Sequence, residues 1–156
     1  MRCRSIMTPR PPKLKRDDTI GVAVEMLLLH RTLALPVVED DDRYLGVFAK
    51  SRLFGLLLPA IVGPEQGQGQ GPWPDGGEQD QVLAEMHKRL AAVSDYLVGP
   101  CSDTTVPVVG PDEPIIAALR IVFRTRNFVP VVAPATGRLL GMISTWDAIN
   151  GLRMSR

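Results

Sequence analysis

Residues 33–57 read LALPVVEDDDRYLGVFAKSRLFGLL, and residues 127–152 read NFVPVVAPATGRLLGMISTWDAINGL. Both stretches carry a Pro-Val-Val run, then a turn, then a glycine inside a second apolar run. Pro36 aligns with Pro130 at an offset of 94 residues, and Gly46 aligns with Gly141 at an offset of 95. Such a nearly constant offset predicts two copies of one supersecondary unit.

Each copy is predicted to run strand, helix, strand, strand, helix. The extended segments 10–15 and 106–109 come first. Asp18 and Asp112, again 94 residues apart, are the predicted helix starts, because Asp is a common N-cap. The apolar residues that follow recur with the helical period of 3.6. They are Ile20, Ala23, Val24, Leu27 and Leu28 in the first copy, and Ile115, Ala118, Leu119 and Val122 in the second.

A hairpin and a second helix complete each copy. The first hairpin joins residues 35–38 to 44–48, and the second joins 129–132 to 139–143. Proline is confined to the first residues of its strand in both, where it removes no central ladder bond. The closing helices are predicted to begin at about Ser51 and at Thr145.

Composition narrows the class of protein. The chain has 156 residues, 18 basic and 17 acidic side chains and a net charge of +1, which argues against a nucleic-acid partner held by a wide basic surface. Cys3 and Cys101 are too few for a disulfide framework and fit a reducing, cytoplasmic location. The longest apolar stretch, 53–63, is too short to span a bilayer, so no membrane contact is expected.

Catalytic motifs are absent from the sequence. It contains no HExxH or CxxC metal spacing, no GxSxG nucleophile elbow and no GxxxxGK[ST] phosphate loop. We therefore expect a protein that is not an enzyme and that requires no cofactor.

The two copies are separated by residues of a different composition. Residues 63–81 are dominated by Gly, Gln and Pro, with Trp73 as an exception that could dock onto a neighbour. An amphipathic helix is predicted from about Asp80 to Ser94. Its apolar residues are Val82, Leu83, Met86, Leu90 and Val93. We therefore expect a first domain over 1–62, a linker with a helix over 63–94, and a second domain over 95–156.

The helices carry more apolar side chains than one buried face needs. These extra residues are Val22, Met26, Leu29, Ile116, Phe123 and the run 53–61. Either the second copy covers all of them or a second chain covers part, and we favour a homodimer.

The two copies resemble CBS domains, the cystathionine β-synthase motif, and the chain resembles a tandem CBS pair. The family pattern is a Met-Thr-Pro-like start, an Asp before the first helix, x-Pro-Val-Val, a turn, Gly, two apolar residues and [Thr/Ser]-x-x-Asp. The first copy matches at residues 7–9, 18, 35–38 and 46–48. The second matches at residues 112, 129–132 and 141–147, which read GMISTWD.

This resemblance implies an α/β (α+β) fold, with two β-α-β-β-α repeats packed about a pseudo-two-fold axis and a cleft on each side. It also implies a disc-shaped dimer of two such pairs. Many members bind AMP, ADP, ATP or S-adenosylmethionine in a cleft and act as energy sensors. The chain is therefore expected to be a regulatory module for an unknown protein partner. The alternative is a ligand-free interaction or scaffold protein that works through CBS dimerisation.

The resemblance places one nucleotide site between the copies. Ser144 and Asp147 would hold the ribose hydroxyls through charge-assisted hydrogen bonds. Arg31, or else Arg10 or Lys13, would meet a phosphate. The remaining expected site residues, from the start of the chain, the Pro-Val-Val approach and the second hairpin, are Met7, Pro12, Thr32, Leu33, Ala34 and Met142. The competing interpretation is that Asp147 only caps the last helix.

The second of the two expected clefts, on the other side of the pseudo-two-fold axis, departs from the [Thr/Ser]-x-x-Asp pattern of the family. Ala49 and Arg52 stand where the ribose-binding pair belongs. Alanine has no hydrogen-bonding group and arginine has no acceptor, which puts the family's adenosine pose in doubt there, although Arg52 could hold a phosphate. Cys101, Asn127 and Phe128 would form the other wall, and Phe128 could fill this cleft itself.

Overall fold

The computed structural model describes residues 1–58 and 76–154. Two sequence expectations therefore lie outside the described residues: the docking of Trp73 and the contribution of residues 59–61 to the apolar run. Within the described ranges the chain forms six short strands and six helices, preceded by a 3-10 turn at Cys3–Ser5. The strands are β1 (Thr8–Pro9), β2 (Leu14–Lys15), β3 (Ala34–Val38), β4 (Tyr44–Ala49), β5 (Val129–Val132) and β6 (Leu139–Ile143). The helices are α1 (Ile20–His30), α2 (Lys50–Leu57), α3 (Gly76–Val93), α4 (Val98–Cys101), α5 (Ile115–Thr125) and α6 (Thr145–Met154).

The two copies build matching sheets. In the first, β2 runs parallel to β3, and β3 is antiparallel to β4. In the second, β5 is antiparallel to β6, and a parallel bridge from Val109 to Val131 takes the place of β2. The predicted hairpins and the mixed α and β fold are confirmed.

The segment that leads into each copy crosses over to the other copy. Thr8 and Pro9 pair with Met142 and Gly141 on β6, while Asp103 exchanges two backbone hydrogen bonds with Val47 on β4. Each copy therefore supplies an edge to the other copy's sheet, and the two crossings obey the same pseudo-two-fold relation.

The core repeats this exchange. Cys3, from the start of the chain, is buried in the core of the second copy. Val93, at the end of α3, and Val98, at the start of the second copy, are buried in the core of the first. A third, smaller cluster holds the copies together at the centre. Its buried members are Ala34, Val47, Phe128 and Met142.

Asp18 and Asp112 do not cap their helices, which corrects the sequence expectation. The N-cap of α1 is Thr19, whose hydroxyl accepts from the amide of Val22. Asp18 instead accepts from the amide of Lys15 at 2.7 Å and closes the turn before the helix. Asp112 forms an ion pair with Arg4 at 2.6 Å. Both carboxylates thus order the approach to a helix rather than its first turn.

The helices of the two copies align at an offset of 95, not the 94 given by the Asp and Pro pairs. The starts of α1 and α5 are 95 residues apart, and so are their left-handed C-cap residues, Arg31 and Arg126. The second copy therefore has one more residue before its helix and one fewer after it. The common offset of 94 for the aspartate and proline pairs, which predicts no gap between them, thus hides two one-residue shifts that cancel.

Some apolar side chains that were predicted to face the core are exposed. Others, predicted to lie outside the buried face of their helix, pack against the core. Leu28 is 72% exposed and Leu83 is 63% exposed, because each lies about 100° around its helix from a neighbour that faces the core. Met26, Leu53, Leu56 and Leu57 instead pack against the core of the first copy. The helix α3 also begins earlier than predicted, at Gly76.

Candidate functional site: two unlike clefts between the copies

Crossing the two copies creates two clefts, one beside the start of α6 and one beside the start of α2. In each cleft, a strand of one copy leads into a closing helix beside the leading segment of the other. The two clefts share this backbone plan but differ in the side chains at the helix starts. We name them the Asp147 cleft and the Arg52 cleft.

Ser144 and Asp147 form a reciprocal cap at the start of α6. The Asp147 carboxylate accepts from the Ser144 amide at 2.7 Å and from the Ser144 hydroxyl at 2.9 Å, and the Ser144 hydroxyl accepts from the Asp147 amide at 3.3 Å. Such a capping box satisfies amides that the helix leaves free. The other carboxylate oxygen accepts from the hydroxyl of Thr8 at 2.8 Å, which ties the second copy to the first.

The Asp147 cleft consists of two adjoining cavities of 340 and 280 Å³. Thr32 and Ser144 line both, and Asp147 lines the smaller one. The structure brings together eight of the nine sequence-predicted site residues around these cavities. They are Pro12, Arg31, Thr32, Leu33, Ala34, Met142, Ser144 and Asp147.

Three residues expected near this cleft lie elsewhere. Met7 lines neither cavity; its side chain packs on the second copy's core, close over Gly141. Lys13 forms an ion pair with Asp42 at 2.9 Å, and Arg10 lies outside both cavities. Met7, Arg10 and Lys13 therefore do not line the Asp147 cleft, and their roles as ligand contacts stay predictions. Gly141 explains the position of Met7, because a Cβ there would lie 2.7 Å from the Met7 sulfur.

Sequence reasoning missed several residues that line the Asp147 cleft. Thr8 and His30 line the smaller cavity, and Arg126 and Trp146 line the larger. The hydroxyl of Thr8 sits in the Met-Thr-Pro motif, so the motif could have revealed it. Arg126 could have been found by aligning the helices at an offset of 95, which makes it the counterpart of Arg31. His30 and Trp146 offered no signal beyond their places beside predicted site residues.

The Arg52 cleft holds the larger cavity, of 720 Å³. Ala49 is the N-cap residue of α2 and offers no side-chain cap, in contrast to Ser144. Arg52 lines the cavity from the position that Asp147 occupies in the other cleft. Phe128 is only 8% exposed and forms a wall that faces both clefts. The expectation that Phe128 could fill the Arg52 cleft was therefore wrong.

The pKa values of two titratable groups near the Arg52 cleft are shifted. Hydrogen bonds from the hydroxyl and amide of Thr105 hold the pKa of Asp103 below its usual range, so this carboxylate is ionised at neutral pH. Burial, followed by the charge of Asp103, raises the pKa of Tyr44 well above its usual range. The Tyr44 hydroxyl is buried without a hydrogen-bond partner in the described part of the chain.

The two cysteines remain unpaired thiols. Cys3 is fully buried, and its burial, together with the charge of Glu113, raises the pKa of its thiol, which keeps it protonated. Cys101 is partly buried and lines the Arg52 cleft. Residues 1–58 and 76–154 contain no group of three His, Cys, Asp or Glu side chains placed to hold a metal ion.

Basic side chains near the start of the chain are largely paired. Arg4 and Lys13 form the ion pairs described above, and Arg16 pairs with Glu39 at 3.0 Å. None of the helices in the described ranges is long and apolar enough to cross a membrane.

Known proteins resemble this chain in sequence and in structure. The CBS domain family model matches residues 3–58 and 93–153. The CBS domain-containing protein CBSX2 of Arabidopsis thaliana, described as chloroplastic, is 25% identical over 145 residues. That alignment covers 92% of this chain but only 60% of the plant protein, so the chain spans less than two thirds of its relative.

Solved structures share the fold. A CBSX2 structure from Arabidopsis thaliana superposes with a TM-score of 0.74 at 21% identity, covering 97% of this chain and 94% of that chain. A structure of CBSX2 in complex with AMP gives a TM-score of 0.69 at 21% identity, covering 99% and 98%. An acetoin utilization protein (AcuB) from Vibrio cholerae gives 0.70 at 18% identity, covering 99% and 94%. With two matched segments, crossed sheets and these neighbours, the chain belongs to the CBS-domain family as a tandem pair.

Proposed function

We propose that this protein is a non-enzymatic regulatory module that senses an adenosine nucleotide in the Asp147 cleft. The observation that carries the proposal is the position of Asp147, which lines a cavity formed by both copies. A carboxylate has about four acceptor positions. Three donors occupy Asp147, one of them the displaceable hydroxyl of exposed Thr8. Acceptor capacity therefore remains for the hydroxyls of a ribose.

The rest of the Asp147 cleft suits the other parts of a nucleotide. Buried Ala34 and Met142 offer an apolar surface for adenine beside strand backbone. Exposed Arg31 and Arg126 line the adjoining cavity and supply positive charge for phosphates. The AMP complex of CBSX2, which shares the fold, supports AMP as the first ligand to test. ADP, ATP and S-adenosylmethionine are the other candidates, and no resident cofactor is required.

The test is a thermal-unfolding series with AMP, ADP, ATP and S-adenosylmethionine, at up to 100 times each dissociation constant. A ligand bound to the folded state alone stabilises it by about 2.7 kcal/mol at that excess. We expect at least one of these compounds to raise the melting temperature. If none does, the protein is better described as a ligand-free interaction or scaffold protein.

We also propose that the working form is a homodimer, acting on a protein partner. The support is a set of apolar side chains that remain exposed on α1 and α5. Val22 is 39%, Leu29 76%, Ile116 54% and Phe123 86% exposed. The same surface on two chains makes a self-complementary two-fold contact. Sedimentation or light scattering at micromolar concentration tests this, and a monomer would contradict it.

The domain boundaries and the location complete the proposal. We place one CBS domain at 1–62 and the other at 95–156, with residues 63–94 as a linker that includes the whole of α3. The matched segments at 3–58 and 93–153 support this division. Two unpaired thiols support a reducing, cytoplasmic setting.

A further inference from the structure

A further cavity lies in the second copy, away from both clefts. It has a volume of 520 Å³ and is lined by the turn that leads into α5 and by residues at and after the end of β5. None of its lining residues lines the Asp147 cleft or the Arg52 cleft. Its volume lies within the range of about 300–1,000 Å³ that small-molecule sites occupy. We name it the Glu113 pocket.

Glu113 closes the turn that forms one wall of this pocket. Its carboxylate accepts from the Gly110 amide through one oxygen, and its own amide donates to the Gly110 carbonyl. Asp18 closes the equivalent turn on Lys15 in the first copy, 95 residues earlier. A Cβ on Gly110 would lie 3.6 Å from the bonded oxygen of Glu113 and 4.0 Å from Cδ of Pro134. The turn therefore fixes the carboxylate beside an apolar wall.

The Glu113 carboxylate keeps acceptor capacity for a ligand. Its second oxygen has no hydrogen-bond partner, and Glu113 forms no ion pair, within residues 1–58 and 76–154. Asp112, the other acid on the lining, is paired with Arg4, and Arg2 donates to its main-chain carbonyl. Neither arginine lines the pocket. Glu113 is thus the acid of this lining whose charge no ion pair offsets in the described part of the chain.

The lining of the Glu113 pocket contains no side chain that can donate a hydrogen bond. Its side chains are those of three valines, three prolines, one glycine and the two acids. The prolines also lack a main-chain N–H, which reduces the donors further. An anion would therefore find few partners here, whereas an ammonium group would find a carboxylate oxygen to accept its charge-assisted hydrogen bond.

The sequence of the second copy explains why this surface is apolar. In the first copy, Lys13 and Arg16 precede the turn and form ion pairs with acids of the first hairpin, at 2.9 and 3.0 Å. Val108 and Pro111 stand at these positions in the second copy, again at an offset of 95. Apolar side chains thus replace paired charges beside a carboxylate that both copies keep at the turn.

From these contacts we infer that the Glu113 pocket binds a small organic amine. The ammonium group donates to the Glu113 carboxylate, and the apolar body of the ligand packs against the valines and prolines. The inference goes beyond the proposed nucleotide site and does not depend on it.

The experiment titrates the whole chain with three probes of similar size: benzylamine, which is protonated at neutral pH, the neutral benzyl alcohol, and the anion benzoate. Amide NMR measures affinity and position, without any nucleotide present. We expect benzylamine to bind about fivefold more tightly than benzyl alcohol, and benzoate to bind most weakly. The shifts are expected at the amides of residues 110, 112 and 113.

Two variants separate the charge from the space. Glu113→Gln keeps an oxygen that can accept from the Gly110 amide but removes the charge, so benzylamine is expected to lose its advantage over benzyl alcohol. Gly110→Ala adds a methyl group at ordinary contact distance from Glu113 and Pro134, so both probes are expected to bind more weakly while the turn is retained. Glu25→Gln, at an exposed glutamate on α1, is the matched control and is expected to change nothing.

Several results would overturn the inference. They are equal affinities for the three probes, an advantage of benzylamine that persists in Glu113→Gln, and binding of both probes that Gly110→Ala leaves unchanged. Shifts centred on either cleft would also overturn it. Since no nucleotide is used, a failure of the nucleotide proposal leaves this test readable.

Discussion

The two clefts of this protein share a backbone but carry opposite charges at the same position. In the Asp147 cleft the helix start is closed by Ser144 and a carboxylate, and the cavities are small. In the Arg52 cleft the helix start has no side-chain cap, a guanidinium stands in the cavity, and the space is larger. Two differences between the copies, Ala49 for Ser144 and Arg52 for Asp147, thus replace a carboxylate with a guanidinium at the same position.

The two copies differ in their side chains at the clefts while keeping one fold. The crossing of the leading segments and the sheets keeps the pseudo-two-fold relation in both halves. The chemistry resides in side chains that the fold does not need. Ala49 and Arg52 leave α2 formed, just as Ser144 and Asp147 leave α6 formed. The two clefts of one chain therefore present different side chains to a ligand.

The largest expected effect is on the dissociation constant of the dimer, and it tests whether the clefts depend on dimerisation. Phe123→Glu places a charge on the 86% exposed apolar face of α5, and two-fold symmetry repeats it on the partner. Like charges brought together cost several kcal/mol, so we expect a dissociation constant raised about 100-fold or more. Sedimentation over a concentration series measures it.

The control for this variant is Leu83→Glu, at an exposed leucine on α3 outside the proposed contact. We expect it to leave the dimer intact. AMP affinity is expected to survive in Phe123→Glu, because both clefts are built within one chain. Loss of AMP binding together with the dimer would show that a second chain contributes to the site.

The next largest expected effect is on AMP affinity, when the Asp147 carboxylate is removed. Asp147→Ala is expected to weaken AMP binding by about 2–4 kcal/mol, because two charge-assisted hydrogen bonds to the ribose are lost. Asp147→Asn keeps one acceptor and should fall between the alanine variant and the parent. Calorimetry measures both, with Arg52→Gln as the matched change in the other cleft. If both Asp147 variants bind AMP like the parent, the residue is only a cap.

Urea unfolding must accompany these titrations. Loss of the cap at α6 is expected to cost about 1 kcal/mol of folding stability. Affinities are therefore compared at temperatures where every variant is fully folded.

A smaller effect is expected on folding stability at the two places where the leading segment of one copy contacts a strand of the other. A Cβ on Gly46 would lie 2.6 Å from the Asp103 carbonyl oxygen, and one on Gly141 would lie 2.7 Å from the Met7 sulfur and 2.8 Å from the Thr8 carbonyl oxygen. Gly46→Ala and Gly141→Ala are therefore both expected to destabilise the protein, by about 1–3 kcal/mol each. Gly55→Ala, in an open helical position, is the control and should stabilise slightly. Urea midpoints compare the three variants, and a loss of stability at only one of Gly46 and Gly141 would contradict the pseudo-two-fold relation.

The smallest expected effect is on folding stability, when the Tyr44 hydroxyl is removed. Tyr44 occupies the position that Leu139 fills in the other copy, and its buried hydroxyl makes no hydrogen bond in the described part of the chain. Removing an unsatisfied buried group relieves a desolvation cost, so Tyr44→Phe is expected to stabilise by about 1 kcal/mol. A loss of stability in urea unfolding would mean that the hydroxyl has a partner in solution.

Much of the fold could be predicted from sequence because it depends on local patterns repeated twice. The hairpins follow from Pro-Val-Val, a turn and an apolar run, and both were confirmed. The helix caps could not be predicted, since Asp18 and Asp112 have partners in neighbouring segments instead. Propensity alone does not choose between a helix amide and a tertiary partner.

The site was predictable where it lies on repeated motifs and obscure where it depends on packing. Ser144 and Asp147 stand at an aligned position, and the structure places them at one cleft with Thr32. Met7 belongs to a motif as well, but the space over Gly141 draws its side chain into the core. The size of the Arg52 cleft depends on how Phe128 packs, which no sequence pattern encodes.

The most direct test of the account is the number of AMP molecules bound per chain, measured by calorimetry on the parent, Asp147→Ala and the double variant Ala49→Ser/Arg52→Asp. We expect one site in the parent, none at the same concentrations in Asp147→Ala, and a second site in the double variant, where the ribose pair is restored. Two equivalent sites in the parent, or a site that survives in Asp147→Ala, would contradict it.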